Sequence, residues 1–179
     1  MKTILSLLVL FVALEVRSQN IGDCQKVGYA DTGYIVRNLP EISQIEAELK
    51  SIGGQYEKQL NSKYQEYSAK VNGYREKSLS EEERSNSEAE LIRLRQSIEK
   101  FEHDAELSFR KRQSELMAPI YLKVGRSINE VAAENKYNVI INSESGDGEK
   151  ILLFFDNKFD ISPLVLKKLG VNVNANRRP

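Results

Sequence analysis

The residue types that most often carry catalytic or metal chemistry are scarce in this chain of 179 residues. It has one histidine, His103, and one cysteine, Cys24. A single residue of each type cannot form a histidine-rich metal centre, a Cys/His zinc module or an intrachain disulfide. His103 lies in a charged helical stretch with no nucleophile tied to it by spacing, so we expect a solvated side chain rather than a catalytic base. Cys24 is interpreted as a free thiol, with an intermolecular bridge as the alternative.

A group of carboxylates near residue 147 is the second candidate for chemistry. Glu144, Asp147 and Glu149 are of the type that binds calcium, but they lack the regular ligand spacing of a calcium loop, which favours a plain hairpin turn. No Gly-rich phosphate loop is present. The sequence therefore predicts no catalytic residue, no metal and no cofactor, and it does not predict an enzyme. Its 26 basic and 26 acidic residues also argue against a dedicated nucleic-acid binder.

Residues 1–18 have the pattern of a secretory signal peptide. Lys2 supplies the positive start, residues 4–14 form an apolar run, and Val16-Arg17-Ser18 leads to the expected cleavage site. A helix of that run would be only about 17 Å long, which is too short for a bilayer core of about 30 Å. We therefore expect an exported protein that is soluble after cleavage.

Residues 41–117 are predicted to form two long amphipathic helices. These 77 residues contain no proline, and apolar side chains recur at steps of three and four. The stripe is narrow, which favours coiled-coil pairing over burial in a globular core. Asn38 is predicted to cap the first helix, and Ser80 with Glu83 has the spacing of a capping box at the second. A short turn through Ser78 and Leu79 then predicts an antiparallel hairpin arm about 55 Å long.

Two adjacent glycines fall inside the first helix of this arm. Gly53 and Gly54 each cost about 1 kcal/mol relative to alanine in a helix interior. They are interpreted as tolerated weak positions, with a hinge that lets the arm swing as the alternative.

Three short segments are predicted as β-strands of a small body. Residues 27–31 form the first, and residues 137–142 and 151–155 flank a turn as a predicted hairpin. Residues 151–155 are apolar at every position, so both faces of that strand need cover. Because the 84 mature residues outside the arms make a marginal core alone, we expect the strands to associate between chains. The predicted oligomer interface consists of Val27, Tyr29, Val139, Ile141, Leu152 and Phe154.

Together these elements predict an α+β fold, with a small body that associates through its strands and long antiparallel helical arms. The predicted parts are a signal peptide (1–18), the N-terminal part of the association body (19–40), the helical hairpin arm (41–117), and the C-terminal part of the body with a disordered tail (118–179). Pro119 is expected to kink or interrupt the second helix. Ser162 and Pro163 are expected to cap a short final helix that Gly170 stops.

The sequence resembles the Skp/OmpH family of periplasmic chaperones across essentially the whole mature chain. Pro40-Glu41 at the start of the long helix matches the family, and the two ends of the chain are its most distinctive parts. The matching segments there are Lys26-Val27-Gly28-Tyr29-Ala30-Asp31, Tyr137-Asn138-Val139-Ile140-Ile141, Phe154-Phe155-Asp156 and Asp160-Ile161-Ser162-Pro163-Leu164-Val165-Leu166-Lys167-Lys168-Leu169-Gly170.

The resemblance implies a homotrimer in which strands of three chains form the β-barrel-like body and three hairpins enclose a cavity. It also implies an ATP-independent holdase in the periplasm, which binds unfolded outer-membrane or other exported proteins and prevents their aggregation. Family members are often strongly basic, whereas residues 56–100 of this chain contain nine basic and nine acidic side chains. We therefore expect weak long-range steering and, at most, weak contact with lipopolysaccharide or a membrane surface.

The apolar stripe of the arms has two interpretations, which are compatible with each other. It packs against the returning helix, or it holds clients by removing their apolar surface from water, at about 25 cal/mol per Å². Tyrosine suits the second role because its ring is apolar while its hydroxyl tolerates water. The alternative function is an exported coiled-coil adaptor that binds a folded envelope partner. The predicted client-binding residues are Tyr56, Leu60, Tyr64, Tyr67, Val71, Tyr74, Leu91, Leu94, Ile98 and Phe101.

Overall fold

The structure is a computed structural model that describes residues 25–76, 79–145 and 149–172. The predicted signal peptide, Cys24, Asp147 and the predicted tail beyond residue 172 lie outside these ranges. The elements in chain order are β1 (Val27–Ala30), α1 (Thr32–Arg37), α2 (Pro40–Glu76), α3 (Glu81–Glu134), β2 (Val139–Asn142), a 3-10 turn (Asn157–Phe159) and α4 (Ser162–Lys168).

The two long helices α2 and α3 pack side by side and run in opposite directions. Near the start of α2, Glu48 pairs with Arg112, and near its end Lys70 pairs with Glu90. Residue numbers thus rise along α2 as they fall along α3, which confirms the predicted antiparallel hairpin. With 37 residues, α2 is about 55 Å long.

A capping box begins α3, as predicted. The Ser80 hydroxyl accepts from the backbone N–H of Glu83, and the Glu83 carboxylate accepts from the backbone N–H of Ser80 at 2.9 Å. Two N–H groups that the first helical turn leaves unpaired are satisfied in this way. Glutamates at residues 81–83 also place negative charge at the positive end of the helix dipole.

The prediction that Asn38 caps α2 is wrong, because Asn38 closes a short helix that precedes it. Its backbone N–H donates to the carbonyls of Tyr34 and Ile35, and its side-chain Nδ2 donates to the Tyr34 carbonyl at 2.8 Å. The preceding helix, α1, starts at Asp31, whose carboxylate accepts from the backbone N–H of Tyr34. An asparagine amide both donates and accepts hydrogen bonds, so it suits either end of a helix.

Of the two outcomes expected at Pro119, a kink or an interruption, the interruption is excluded, since α3 continues through the proline to Glu134. Proline removes one N–H and leaves the carbonyl of Glu115 without its helical partner. Pro119 and Glu115 are both exposed, so water can hydrate that carbonyl. Beyond Pro119, α3 enters the body, where Ile120 and Val124 are buried.

The sheet pairs β1 with β2 in parallel, from Val27 opposite Val139 to Ala30 opposite Asn142. Of the predicted hairpin, one antiparallel bridge is present, between Glu144 and Lys150. Its second strand is not, because residues 151–155 adopt no strand. Residues 139–142 pair instead with β1, which lies more than 100 residues earlier in the sequence.

The core lies between the sheet and the helices α1, α3 and α4. From β1, Ala30 faces it. The final helix α4 is confirmed, with Pro163 in its first turn and Gly170 at φ +81° after its end. Ser162 does not cap it: its buried hydroxyl accepts from the backbone N–H of Asp31 at 2.9 Å, which ties α4 to β1. The most buried large side chains are Ile35, Leu39, Ile161, Val165 and Leu166.

None of the helices in the described ranges combines the length and the apolar character that crossing a bilayer requires.

Gly28 in β1 is required by a close approach to the segment before β2. A Cβ atom at this position would lie 2.9 Å from Cε1 of Tyr137 and 3.1 Å from Cδ1 of Ile140. The first contact is shorter than carbon atoms tolerate and the second is tighter than an ordinary contact, so a larger residue forces the Tyr137 ring or the strand to move.

We expect Gly28→Ala to lower the free energy of unfolding by about 1–3 kcal/mol, the usual cost of overpacking. Urea denaturation followed by circular dichroism measures this. Gly125→Ala is the matched control, because a Cβ there meets nothing within 4 Å and alanine favours a helix by up to about 1 kcal/mol. A Gly28→Ala protein as stable as the parent would contradict the close packing of β1 on Tyr137.

An ion pair joins the two helices where the arm meets the body. Lys123 Nζ donates to Glu41 Oε1 at 2.5 Å, and this hydrogen bond is the largest cause that lowers the pKa of Glu41 below its ordinary value of 4.5. A carboxylate whose folded pKa is depressed contributes stability above its unfolded pKa. That contribution is lost as the pH falls through the folded pKa.

We expect Glu41→Gln to lower the free energy of unfolding at pH 7 by less than about 1 kcal/mol, because both partners are partly exposed. The difference from the parent should narrow below about pH 4.5 and vanish once Glu41 of the parent is protonated. Urea denaturation at pH 7 and pH 3 tests this, with Glu46→Gln at an exposed site as the control. An equal difference at both pH values would show that the pair does not cause the effect.

Candidate functional site

One face of the small sheet carries the strand residues predicted as an interface. In a parallel pair, residues opposite each other point to the same side, so Val27 and Val139 share a face with Tyr29 and Ile141. Val27, Val139 and Ile141 are all exposed, although they are apolar. Tyr29 is buried because the ring of Phe155 covers it at a centroid distance of 4.4 Å.

Residues 151–155 extend this apolar face rather than folding under it. Leu153 is 100% exposed and Phe154 is 89% exposed, which is unusual for large apolar side chains in a folded chain. Between this segment and the sheet lies a groove of about 450 Å³, here named the sheet-face groove. Five of the six predicted interface residues line it, together with two phenylalanines that the sequence analysis missed: Val27, Tyr29, Ile141, Leu152, Phe154, Phe155 and Phe159.

The predicted client-binding stripe lies in the seam between α2 and α3. Of its ten residues, Ile98 is buried, Tyr64 is exposed, and the other eight are half-buried. The Tyr56 ring meets the Phe101 ring edge to face at a centroid distance of 6.3 Å. The structure therefore brings the stripe together as packing between the two helices. The two helices cover the stripe only where they touch each other, so its outer edge stays accessible to solvent.

Two tyrosines of the stripe bridge the helices through their hydroxyl groups. Tyr64 donates to Glu102 at 2.8 Å, and Tyr74 donates to Glu88 at 2.8 Å. In each case the hydrogen bond to the carboxylate raises the pKa of the tyrosine above its ordinary value, because ionising the phenol would remove the donor. The rings are thereby held at the seam, with their edges open to solvent.

Four apolar residues on α3 are exposed away from the stripe, and the sequence analysis missed them. None of them lies three or four residues from a residue of the stripe, so the periodicity that identifies the stripe does not include them. Their exposure shows that α2 does not cover this side of α3. They are Ile92, Leu107, Tyr121 and Leu122.

The described part of the chain offers no grouped ligands for a metal ion. Nowhere in it do three His, Cys, Asp or Glu side chains come together in a suitable cluster. His103 is exposed on α3. Around the predicted turn, the backbone N–H of Ser145 donates to the carbonyl of Glu149 at 2.7 Å, which belongs to the hairpin geometry.

Known proteins share both the sequence pattern and the fold of this chain. An uncharacterised protein of Aquifex aeolicus is 24% identical over 139 residues, which is 78% of this chain and 82% of that protein. A crystal structure from Caulobacter crescentus, of a protein proposed to be an OmpH-like outer membrane chaperone, superimposes with a TM-score of 0.65 at 13% identity. The match covers 88% of this chain and 94% of that one.

The match to a protein family extends over the elements described above. The family model of OmpH-like outer membrane proteins covers residues 26–169, from the start of β1 to the end of α4. Because this span is most of the chain, the likeness includes the sheet, the arm and the final helix together. The chain belongs to the OmpH-like family.

Proposed function

We propose that the protein is an ATP-independent holdase chaperone of the periplasm, which binds unfolded outer-membrane or other exported proteins and keeps them from aggregating. The observation that carries the proposal is the hairpin arm, whose apolar seam is only half covered by its own two helices. An unfolded client exposes apolar surface, and each contact with the seam removes part of it from water. Contacts of this kind are weak and numerous, so binding is promiscuous and reversible without a nucleotide.

The working form in this proposal is a homotrimer held by the sheet faces. Phe154 projects into solvent beside the sheet-face groove, and the groove is lined by exposed apolar residues. A second copy that places its own segment 151–155 against the groove would bury both surfaces. Strands from three chains would then close into the β-barrel-like body that the family resemblance implies, with the arms around a common cavity.

We expect Ile141→Ser with Phe154→Ser to dissociate the trimer into single chains. Both side chains belong to the proposed interface, and their replacement removes two exposed apolar side chains from it. Light scattering coupled to size-exclusion chromatography measures the mass of the mature chain and its variants. Ile92→Ser with Leu107→Ser is the control, because these residues are comparably apolar and exposed but lie on the arm. A parent protein that runs as a monomer or a stable dimer would contradict the barrel.

Client capture has a separate test in the stripe. We expect Tyr64→Ser with Tyr67→Ser to leave the trimer intact and to raise, by roughly twofold or more, the amount of chaperone that keeps an unfolded barrel protein soluble. The reason is the loss of two apolar rings from the accessible edge of the seam. Turbidity of a client diluted from urea gives the readout, and circular dichroism reports whether the arm stays helical.

The outcomes separate the interpretations of the stripe and of the protein. Loss of helix in the variant would mean that the two tyrosines act mainly in packing α2 on α3. A parent protein that protects no unfolded client, but binds one folded protein saturably, would replace the holdase by the coiled-coil adaptor.

A further inference from the structure

A groove opens between α2 and α3 near the end of the arm. Its volume is about 450 Å³, and we name it the tip groove. Ala69 and Gly73 form its α2 side, and Leu79 and Leu91 close it from the turn and from α3. The groove exists because two small residues stand where a longer side chain would fill the seam. A Cβ built on Gly73 meets nothing within 4 Å.

The size and lining of the tip groove fit an apolar side chain of an extended peptide. Leu79 and Leu91 are each half-buried, so both present apolar surface to the open space. A volume of a few hundred Å³ is in the range of small ligand sites and holds one or two large side chains. The groove lies far along the arm from the body.

Charge is distributed unevenly along the arm, and the acidic excess is at the tip. Residues 66–91 contain seven glutamates and four lysines or arginines. The rest of the arm, residues 41–65 and 92–117, contains nine acidic and nine basic residues. The arm as a whole therefore has three more acidic than basic residues, and this excess lies entirely at the tip.

The basic side chain at the rim of the tip groove is already neutralised. Lys70 Nζ donates a hydrogen bond to Glu90 Oε1 at 2.6 Å, and this bond raises the pKa of Lys70. Glu66 lies on the same rim and contributes to the same shift. With Lys70 paired, the rim presents a net negative charge to an incoming chain.

We propose that the tip groove binds an apolar side chain of an extended client segment that carries lysine or arginine next to it. The proposal rests on the proposed holdase function and adds a preference to it. The apolar residue fills the space above Gly73, and the neighbouring cation lies near the carboxylates of Glu66 and Glu90. This preference for cationic segments is opposite to that of a basic arm.

Three labelled peptides test the preference on the mature full-length protein. They share a length and an extended sequence: one has a Leu-Phe centre flanked by lysines, one has the same centre flanked by glutamates, and one has a Ser-Ser centre flanked by lysines. Fluorescence anisotropy should give the tightest binding for the first, and at least roughly fivefold weaker binding for the other two. The advantage of lysine over glutamate should shrink with added salt, because the Debye length falls to about 3 Å at 1 M. Equal affinity for the lysine and glutamate peptides would overturn the proposal.

Filling the groove tests its location. Gly73→Leu places a side chain in the open space and favours the helix, so we expect the arm to stay folded and the lysine–leucine peptide to bind at least roughly fivefold more weakly. Gly54→Leu is the matched control: its Cβ also meets nothing within 4 Å, and it lies beside Glu57, Lys58 and Asn61 outside the tip. Equal losses in the two variants, or no loss in either, would exclude the tip groove as the site.

A charge variant gives a second readout that does not alter packing. We expect Glu66→Gln to weaken the lysine–leucine peptide by about threefold, in line with partly exposed ion pairs, and Glu57→Gln to change it little. No change with Glu66→Gln would contradict the role of the acidic rim. Aggregation suppression by the parent protein is measured in parallel. A parent that suppresses aggregation but shows no peptide preference fails only this proposal, whereas a parent without suppression fails the proposed function itself.

Discussion

Two helices can bury an apolar stripe only along the line where they touch, and this limit governs the arm. Ile98 on α3 lies on that line and is 4% exposed. Tyr64 on α2 lies at the edge of the seam and is 47% exposed. A third helix or a sheet would be needed to cover the flanks of the seam, and the described arm has neither. The hydrogen bonds that the Tyr64 and Tyr74 hydroxyls donate to glutamates on α3 hold the rings in place without covering them. The same residues therefore stabilise the arm and remain partly accessible, which is the property a promiscuous binder requires.

The parallel pairing of β1 with β2 ties the arm to the body at both of its ends. Parallel neighbours need a long crossover connection, and here the connection is α1 and the whole hairpin arm. Ile42 near the start of α2 and Val124 near the end of α3 both belong to the buried core. The arm is thus an insertion between β1 and β2. The two ends of the arm pack against one face of the sheet, while the other face stays open. In the proposed function, assembly through the open face and client contact through the arm would use different surfaces, so each could change without disrupting the other.

Local patterns in the sequence predicted the arm well, because helices depend on neighbours along the chain. The steps of the stripe and the Ser80–Glu83 capping box need no distant contact, and both are present. Strand partners are nonlocal, and there the prediction was wrong: residues 139–142 pair with β1 instead of residues 151–155. The predicted interface residues of β1 and β2 still share one face, since alternation along each strand sets the face whatever the partner is. The tip groove could not be predicted from the sequence. It forms because Ala69 and Gly73 are small residues, and because the packing of α2 on α3 sets which residues lie opposite each other.

The position of the charges matters more here than their total. At physiological ionic strength the Debye length is about 8 Å, whereas the arm is about 55 Å long. In the proposed function, a client at the lower arm would therefore be insensitive to the glutamates at the tip and would meet a neutral apolar seam, which would accept any apolar segment. A client at the tip would meet the acidic rim of Glu66 and Glu90 first. If the tip is where capture begins, selection by charge occurs on entry and does not restrict what the seam holds afterwards. A chain whose net charge is near zero can thus still have a local electrostatic preference. The condition is that opposite charges balance below the tip, while one sign is in excess at the tip.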